Sequence, residues 1–87
     1  NFTFYIHGGT SGNQALRLWL EDSGGGKTTV MVNNYIPGGS VSAGTWKKVT
    51  VPFTALGAVN CNVTRINLQG DPNSALPAFY LDKIQYE

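Results

Sequence analysis

The sequence predicts an all-β protein built as an antiparallel β-sandwich. Apolar and polar residues alternate along several short segments, and this period of two is typical of strands that bury one face. Gly, Asn, Ser and Pro separate these segments, as expected for turns. No stretch repeats apolar residues at the three- and four-residue spacing of an amphipathic helix. These observations together favour two stacked antiparallel sheets.

The strands are expected at residues 1–7, 16–21, 28–32, 45–53, 63–69 and 78–86. The second is the clearest, because its leucines alternate with Arg17, Trp19 and Glu21 and therefore form one apolar row for the core. Pro52 should end the fourth strand or place it at an edge. A single helical turn ended by Gly57 is expected to follow it.

Length and composition limit the chain to one domain, residues 1–87. With 87 residues and 41% hydrophobic content, the core is just large enough for independent stability. A net charge of +1 gives no basic field for nucleic acid, and no apolar run approaches the roughly 20 residues that span a bilayer. The start at Asn1, without an apolar leader, fits a processed chain. Cys61 has no second cysteine to pair with and is expected to be a buried, inert thiol.

The outward positions of three predicted strands carry aromatic rings and planar hydrogen-bonding groups. A sugar packs its C–H groups on an aromatic ring, and its hydroxyls pair with such polar groups. If the strands share a sheet, these side chains form one glycan-binding surface. Tyr35, in the polar loop at residues 33–40, is a further candidate. The predicted ligand-binding residues are Tyr5, His7, Arg17, Trp19, Glu21, Tyr35, Arg65, Asn67 and Gln69.

Two other interpretations of these residues are open. A solvated sheet face carries mixed polar residues without any function, although a large aromatic such as Trp19 is less readily explained in this way. Catalysis is not expected, because the only histidine, His7, has no nucleophile-elbow motif to pair with. The adjacent carboxylates of Glu21 and Asp22 point to opposite faces of a strand and make a poor glycosidase pair, and Asp71 is a further carboxylate.

Asp82 lies in an apolar strand, where a carboxylate needs a partner. It could be solvated, pair with Lys83, accept a backbone hydrogen bond, or bind a hard cation such as Ca²⁺. Asn1 and Asn62 each begin an N-x-S/T sequon, and both are candidate glycosylation sites if the protein is secreted.

Three segments carry a family resemblance. They are FYIHGG (residues 4–9), TWKKVTVPF (residues 45–53) with ALG (residues 55–57), and INLQGD (residues 66–71) followed by PAFYLDKI (residues 77–84). In this order and spacing they resemble the later part of secreted jelly-roll carbohydrate-binding modules and lectins of the galactose-binding-like type. The resemblance covers most of the chain.

The resemblance implies a secreted, non-catalytic module that binds an oligosaccharide or polysaccharide, with a structural Ca²⁺ near the terminal strand at the position of Asp82. Lys83 stands where many such modules have a second acid. Such modules also have several strands before FYIHGG that this chain lacks. The chain is then a compact variant, a piece of a longer protein, or a subunit completed by a homo-oligomer or companion chain. The alternative function is a structural or assembly module that pairs with another chain.

Overall fold

Two antiparallel sheets and very little helix make up the protein, which confirms the predicted all-β class. The computed structural model describes residues 1–60, 62–70 and 76–87. Helical structure in this part of the chain consists of the α-helical turn α1 (Phe53–Leu56) and two 3₁₀ turns, Val32–Tyr35 and Pro37–Gly39. The strands are β1 (Phe2–His7), β2 (Leu16–Asp22), β3 (Gly25–Gly26), β4 (Val30–Met31), β5 (Trp46–Val51), β6 (Arg65–Gly70) and β7 (Tyr80–Tyr86).

Each sheet is organised around one central strand. In sheet I, β1 lies between β5 and β7. In sheet II, β2 pairs with β6 along one edge and with the short strands β3 and β4 along the other. All of these pairings are antiparallel. The arrangement agrees with the predicted β-sandwich.

The core lies between the two sheets, and alternate residues of the central strands fill it. Every second residue of β1 and of β2 points inward, as the period of two predicts. These inward side chains and those of β5 are at most 1% exposed: Phe2, Phe4, Ile6, Leu16, Leu18, Leu20, Val49 and Val51. Burying each such side chain contributes about 1.5–3 kcal/mol, so the two central rows dominate the stability of the sandwich.

The predicted third strand at residues 28–32 is wrong in its extent. The structure has two short strands, β3 and β4, on either side of residues 27–29. Between them the Thr28 backbone N–H donates to the Leu56 carbonyl at 3.1 Å, so the chain bonds to α1 instead of the sheet. Gly57 ends α1 in the left-handed conformation (φ +64°), as predicted, and a Cβ there would lie 2.8 Å from the Thr28 Oγ1.

One flank of the sandwich is covered by loop residues. The 3₁₀ turn Val32–Tyr35 contacts both β5 and β2. Val32, Ile36 and Val41 in this region are buried and extend the core. Over the described residues, no helix has the length and apolar character that crossing a membrane requires.

Glu87 joins the three strands of sheet I at one end. Its carboxylate accepts hydrogen bonds from the Thr3 hydroxyl at 2.7 Å, the Gln85 amide at 3.0 Å and the Lys48 ammonium at 3.2 Å. These donors belong to β1, β7 and β5, respectively. The hydrogen bond from Thr3, followed by those from Lys48 and Gln85, lowers the pKa of Glu87 from 4.5 to about 2.

Replacing Glu87 with Gln should make the free energy of unfolding depend less on pH below pH 4.5. Because folding lowers the pKa of Glu87, its stabilising effect is present above pH 4.5 and is lost as the pH falls towards 2. We therefore expect Glu87→Gln to unfold more readily than the wild type at pH 7 and to differ least from it near pH 2. Urea midpoints between pH 2 and 7 measure this, and an unchanged difference across that range would contradict it.

Candidate functional site

The structure separates the predicted ligand-binding residues into two surfaces. Tyr5 and His7 lie on β1 in sheet I, whereas β2 and β6 belong to sheet II. The outer faces of stacked sheets point away from each other. The expectation of one surface that includes Tyr5 and His7 is therefore wrong, because β1 pairs with β5 and β7 and not with β2. Alternation in the sequence predicts the side of the strand to which a residue points, but it does not predict the sheet to which the strand belongs.

Six of the predicted residues do lie together on the outer face of sheet II, named here the β2–β6 face. The register sets them directly opposite in three pairs: Arg17 with Gln69, Trp19 with Asn67, and Glu21 with Arg65. Trp19 is half-buried, and its indole is near the backbone of Gly26 in β3.

Three polar side chains on the β2–β6 face make hydrogen bonds within sheet II. The Asn67 amide donates to the Glu21 carboxylate across the two strands. The Arg17 guanidinium donates to the Gly70 carbonyl at 3.5 Å, the longest of these contacts. Such cross-strand bonds stabilise a sheet, and groups engaged in them are less available to a ligand.

The outer face of sheet I carries a row of rings across its three strands. His7 lies in the middle, opposite Trp46 of β5 and Tyr80 of β7. Its ring centroid is 5.2 Å from that of Trp46 and 5.9 Å from that of Tyr80. Trp46 is 47% exposed and Tyr80 is 55% exposed, although both are large and largely apolar. Exposed aromatic rings in a row are typical of ligand-contact surfaces.

A shallow depression adjoins this row. It has a volume of about 330 Å³ and is lined by Tyr5, Trp46, Asp82 and Lys83. The Lys83 ammonium lies 5.6 Å from the centre of the Tyr5 ring, a cation–π contact. The row and the depression together, comprising Tyr5, His7, Trp46, Tyr80, Asp82 and Lys83, are named here the aromatic face. This face presents rings with one negative and one positive group beside them.

Buried Gln14 positions one end of the aromatic face. Its side chain is 1% exposed, and its amide nitrogen lies within hydrogen-bond distance of the carbonyls of Gly8 (3.0 Å), Pro77 (3.3 Å) and Ala78 (3.2 Å). It therefore ties the loop after β1 to the segment that leads into β7. This connection fixes where Tyr80 begins its strand beside His7.

Gly9 supports the same end by close backbone approach. Its φ is +67°, and a Cβ there would lie 2.5 Å from the Ala78 carbonyl oxygen, so a side chain would push β7 away. The Gly9 N–H donates to His7 Nδ1 at 3.0 Å. In the neutral imidazole this leaves the proton on Nε2 as the available donor of the ring.

Sequence reasoning missed Trp46 and Tyr80 as site residues. In the sequence the two residues are noted only as members of the segments TWKKVTVPF (residues 45–53) and PAFYLDKI (residues 77–84). Both stand at the first position of their strands, so their alignment with His7 depends on strand register. Gln14 was also missed, because it precedes β2 in a loop and nothing in its neighbours marks it as buried.

The remaining site predictions lie apart from both faces. Tyr35 is half-buried against the core within the 3₁₀ turn. Asn1 and Asn62 are exposed, and their glycosylation stays a prediction. Cys61 and Asp71 lie outside the described residues.

Asp82, the position at which the resemblance implies a structural Ca²⁺, has a hydrogen-bond partner in the backbone. Ca²⁺ takes six to eight oxygen ligands, several of them usually carboxylates. Among residues 1–60, 62–70 and 76–87, no three His, Cys, Asp or Glu side chains are grouped as metal ligands. Asp82 Oδ1 instead accepts the backbone N–H of Lys83 at 2.8 Å. The calcium site stays a prediction.

Comparison with protein-family models, with characterised proteins and with solved structures gives no match for this chain. The geometry of the two faces is therefore the basis for assigning a function.

Replacing Gln14 with Ala should destabilise the protein by about 1–3 kcal/mol, because it empties the space of a buried side chain and removes the amide that links Gly8 to Pro77 and Ala78. Gln69→Ala is the matched control, since Gln69 is the same residue type on the β2–β6 face. We expect the control to change stability by less than about 0.5 kcal/mol. Urea unfolding measures both variants. Equal destabilisation by the two would contradict the positioning role of Gln14.

Proposed function

We propose that this chain is a non-catalytic glycan-binding module that contacts an oligosaccharide or polysaccharide through the aromatic face. The observation that carries the proposal is the row of Tyr80, His7 and Trp46 beside the depression of about 330 Å³. The resemblance of FYIHGG and the other two segments to galactose-binding-like modules points to the same function.

The chemistry of this face suits a sugar. The rings of Trp46 and Tyr80 can pack on the C–H side of a pyranose, because about half of each side chain is exposed to solvent. Asp82 accepts hydrogen bonds from hydroxyls and Lys83 donates to them. Each sugar hydroxyl both donates and accepts hydrogen bonds, so an acceptor such as Asp82 and a donor such as Lys83 can together satisfy it.

The length of the aromatic row favours a chain of sugars over a single one. Neighbouring strands are about 4.8 Å apart, so Tyr80 on β7 and Trp46 on β5 are separated by about 10 Å. One pyranose ring cannot cover both side chains at once. We therefore propose that the ligand runs across the strands of sheet I.

The β2–β6 face is the weaker candidate for this function. It holds one aromatic side chain, Trp19, and that ring is half-buried. Two of its polar residues, Asn67 and Glu21, bond to each other, and Arg17 bonds to the Gly70 carbonyl. Binding a sugar there would first require breaking these bonds.

The proposal extends to an extracellular location and to the absence of catalysis. The support for secretion is the resemblance and the exposure of Asn1 and Asn62, which leaves both sequons accessible. Binding without catalysis agrees with the carboxylates on the outer face of sheet I: the Glu87 carboxylate is engaged by Thr3, Lys48 and Gln85, which leaves Asp82 as one candidate acid. A glycosidase would need a second.

The alternative function, a structural or assembly module, rests on a different feature. Apolar side chains of β6 and β7 are exposed along one flank of the sandwich, away from the aromatic face. That feature describes a protein contact and does not compete with sugar binding at sheet I.

Replacing Trp46 or Tyr80 with Ala should weaken glycan binding by about tenfold or more, the loss expected for truncating a central aromatic contact. Trp19→Ala is the matched control, because it removes the same kind of ring from the opposite face. Affinity electrophoresis in gels containing soluble gluco-, galacto-, manno- and xylopolysaccharides identifies a ligand for the wild type. Calorimetry with oligosaccharides of the retained polymer then measures each variant.

Binding that survives in Trp46→Ala and Tyr80→Ala but is lost in Trp19→Ala would place the site on the β2–β6 face. A folded wild type retained by none of the polymers would contradict the glycan-binding function for this panel. Circular dichroism of every variant separates loss of contact from loss of fold.

A further inference from the structure

The sandwich is unevenly closed along its two flanks. On the flank formed by β6 and β7, apolar side chains that point towards the core are only partly covered: Ile66 is 41% exposed, Ile84 is 48% exposed and Tyr86 is 56% exposed. The inward residues of the central strands are at most 1% exposed. We name the side formed by Ile66, Leu68, Leu81, Ile84 and Tyr86 the open flank.

Strand register shows that these side chains belong to the interior rows. Ile66 lies opposite Leu20, and Tyr86 lies opposite Phe2, both of which are core residues. Ile84 shares the side of Tyr86 by strand alternation. The rows of core side chains therefore continue onto β6 and β7, where the described residues cover them only in part.

Both strands border the same flank. The opposite flank is closed by the turn Val32–Tyr35, which contacts β5 and β2. At one end of the open flank, a groove of about 370 Å³ is lined by Tyr86 of β7 and by Val59 and Val63 from the segment before β6. Val59 is itself 54% exposed. The edge strand β7 of sheet I and the strand β6 of sheet II thus lie on the same flank, and apolar side chains of the interior are exposed between them.

The backbone of β7 specifies the kind of group that completes this flank. Within the described part of the chain, β7 pairs with β1 along one edge and with no strand along the other. An open edge presents N–H and C=O groups in the pattern that an extended chain matches. An extended chain on β7 would also place every second side chain over the open flank.

The charges of β7 leave that interior side apolar. A lysine on an edge strand often prevents another chain from pairing with it. Lys83 has φ +53° at an irregularity in the β1–β7 register, and its ammonium lies over the Tyr5 ring on the outer face. Asp82 lies opposite Tyr5 and so also points outward. The incoming residues above Ile84 and Tyr86 should therefore be apolar and uncharged.

We propose that the open flank is a strand-acceptor site. Its occupant is an extended polypeptide segment other than residues 1–87, which adds to the free edge of β7 and directs apolar side chains at alternate positions onto Ile84, Tyr86 and Ile66. The contact extends sheet I by one strand and completes the core. It involves the flank and leaves the aromatic face accessible.

A fused strand tests the proposal. An Asn-Gly turn placed after Glu87 can fold an added segment back along β7 as a hairpin. The probe is the full chain followed by Asn-Gly and the segment Lys-Val-Thr-Ile-Thr-Val-Thr-Thr-Lys, because a two-residue turn sets the first Lys opposite Glu87 and so places Val opposite Tyr86 and Ile opposite Ile84. The control carries the same residues in the order Lys-Thr-Val-Thr-Thr-Val-Ile-Thr-Lys, which has the same composition but no regular alternation and places Thr opposite both Tyr86 and Ile84.

We expect the alternating fusion to slow amide hydrogen exchange in β7 by about tenfold or more relative to the unmodified chain, and to raise the urea midpoint. The control should behave like the unmodified chain. Ile84→Ser in the alternating fusion should remove most of the gain. Solution mass is measured on all four proteins by analytical ultracentrifugation.

Three results would overturn the proposal. One is an alternating fusion whose β7 amides exchange as in the unmodified chain. Another is equal protection by both fusions, because composition and not strand addition would then explain it. The third is an unmodified chain that dimerises with its β7 amides already protected, because a second copy would then be the occupant.

Discussion

The packing of β1 against β2 is the interaction on which the rest of the structure depends. Phe2, Phe4 and Ile6 from one sheet meet the leucines of the other in a core where these side chains are at most 1% exposed. Because successive residues of a strand alternate between faces, burying this row forces Tyr5 and His7 outward. The position of the aromatic face is therefore a consequence of the core, and changes that loosen the core would also disturb the rings.

Local contacts then align the neighbouring strands. Gln14 bonds to backbone carbonyls on both sides of the connection to β7, and Gly9 lets the Ala78 backbone approach closely. At the other end of sheet I, Glu87 bonds to one residue from each of its three strands. The row of rings is thus supported by a sheet held at both ends, which limits the entropy that a ligand must remove on binding.

The alternation in the sequence predicted most of the strands and the buried leucine row, because period-two patterning directly reflects one-sided burial. It could not predict which strands share a sheet, so Tyr5 and His7 were grouped with Trp19 although they lie in different sheets. Trp46 and Tyr80 were missed because their alignment with His7 arises from register between strands distant in sequence. The predicted strand at residues 28–32 was wrong because Thr28 bonds to Leu56 instead of the sheet.

The two tryptophans allow one measurement to test whether a glycan binds to the aromatic face, since Trp46 lies on that face and Trp19 lies on the β2–β6 face. Their indole N–H signals can be followed by two-dimensional NMR during titration with a bound oligosaccharide. We expect the Trp46 signal to shift with saturation while the Trp19 signal stays in place. A saturating shift of Trp19 with an unmoved Trp46 would contradict it.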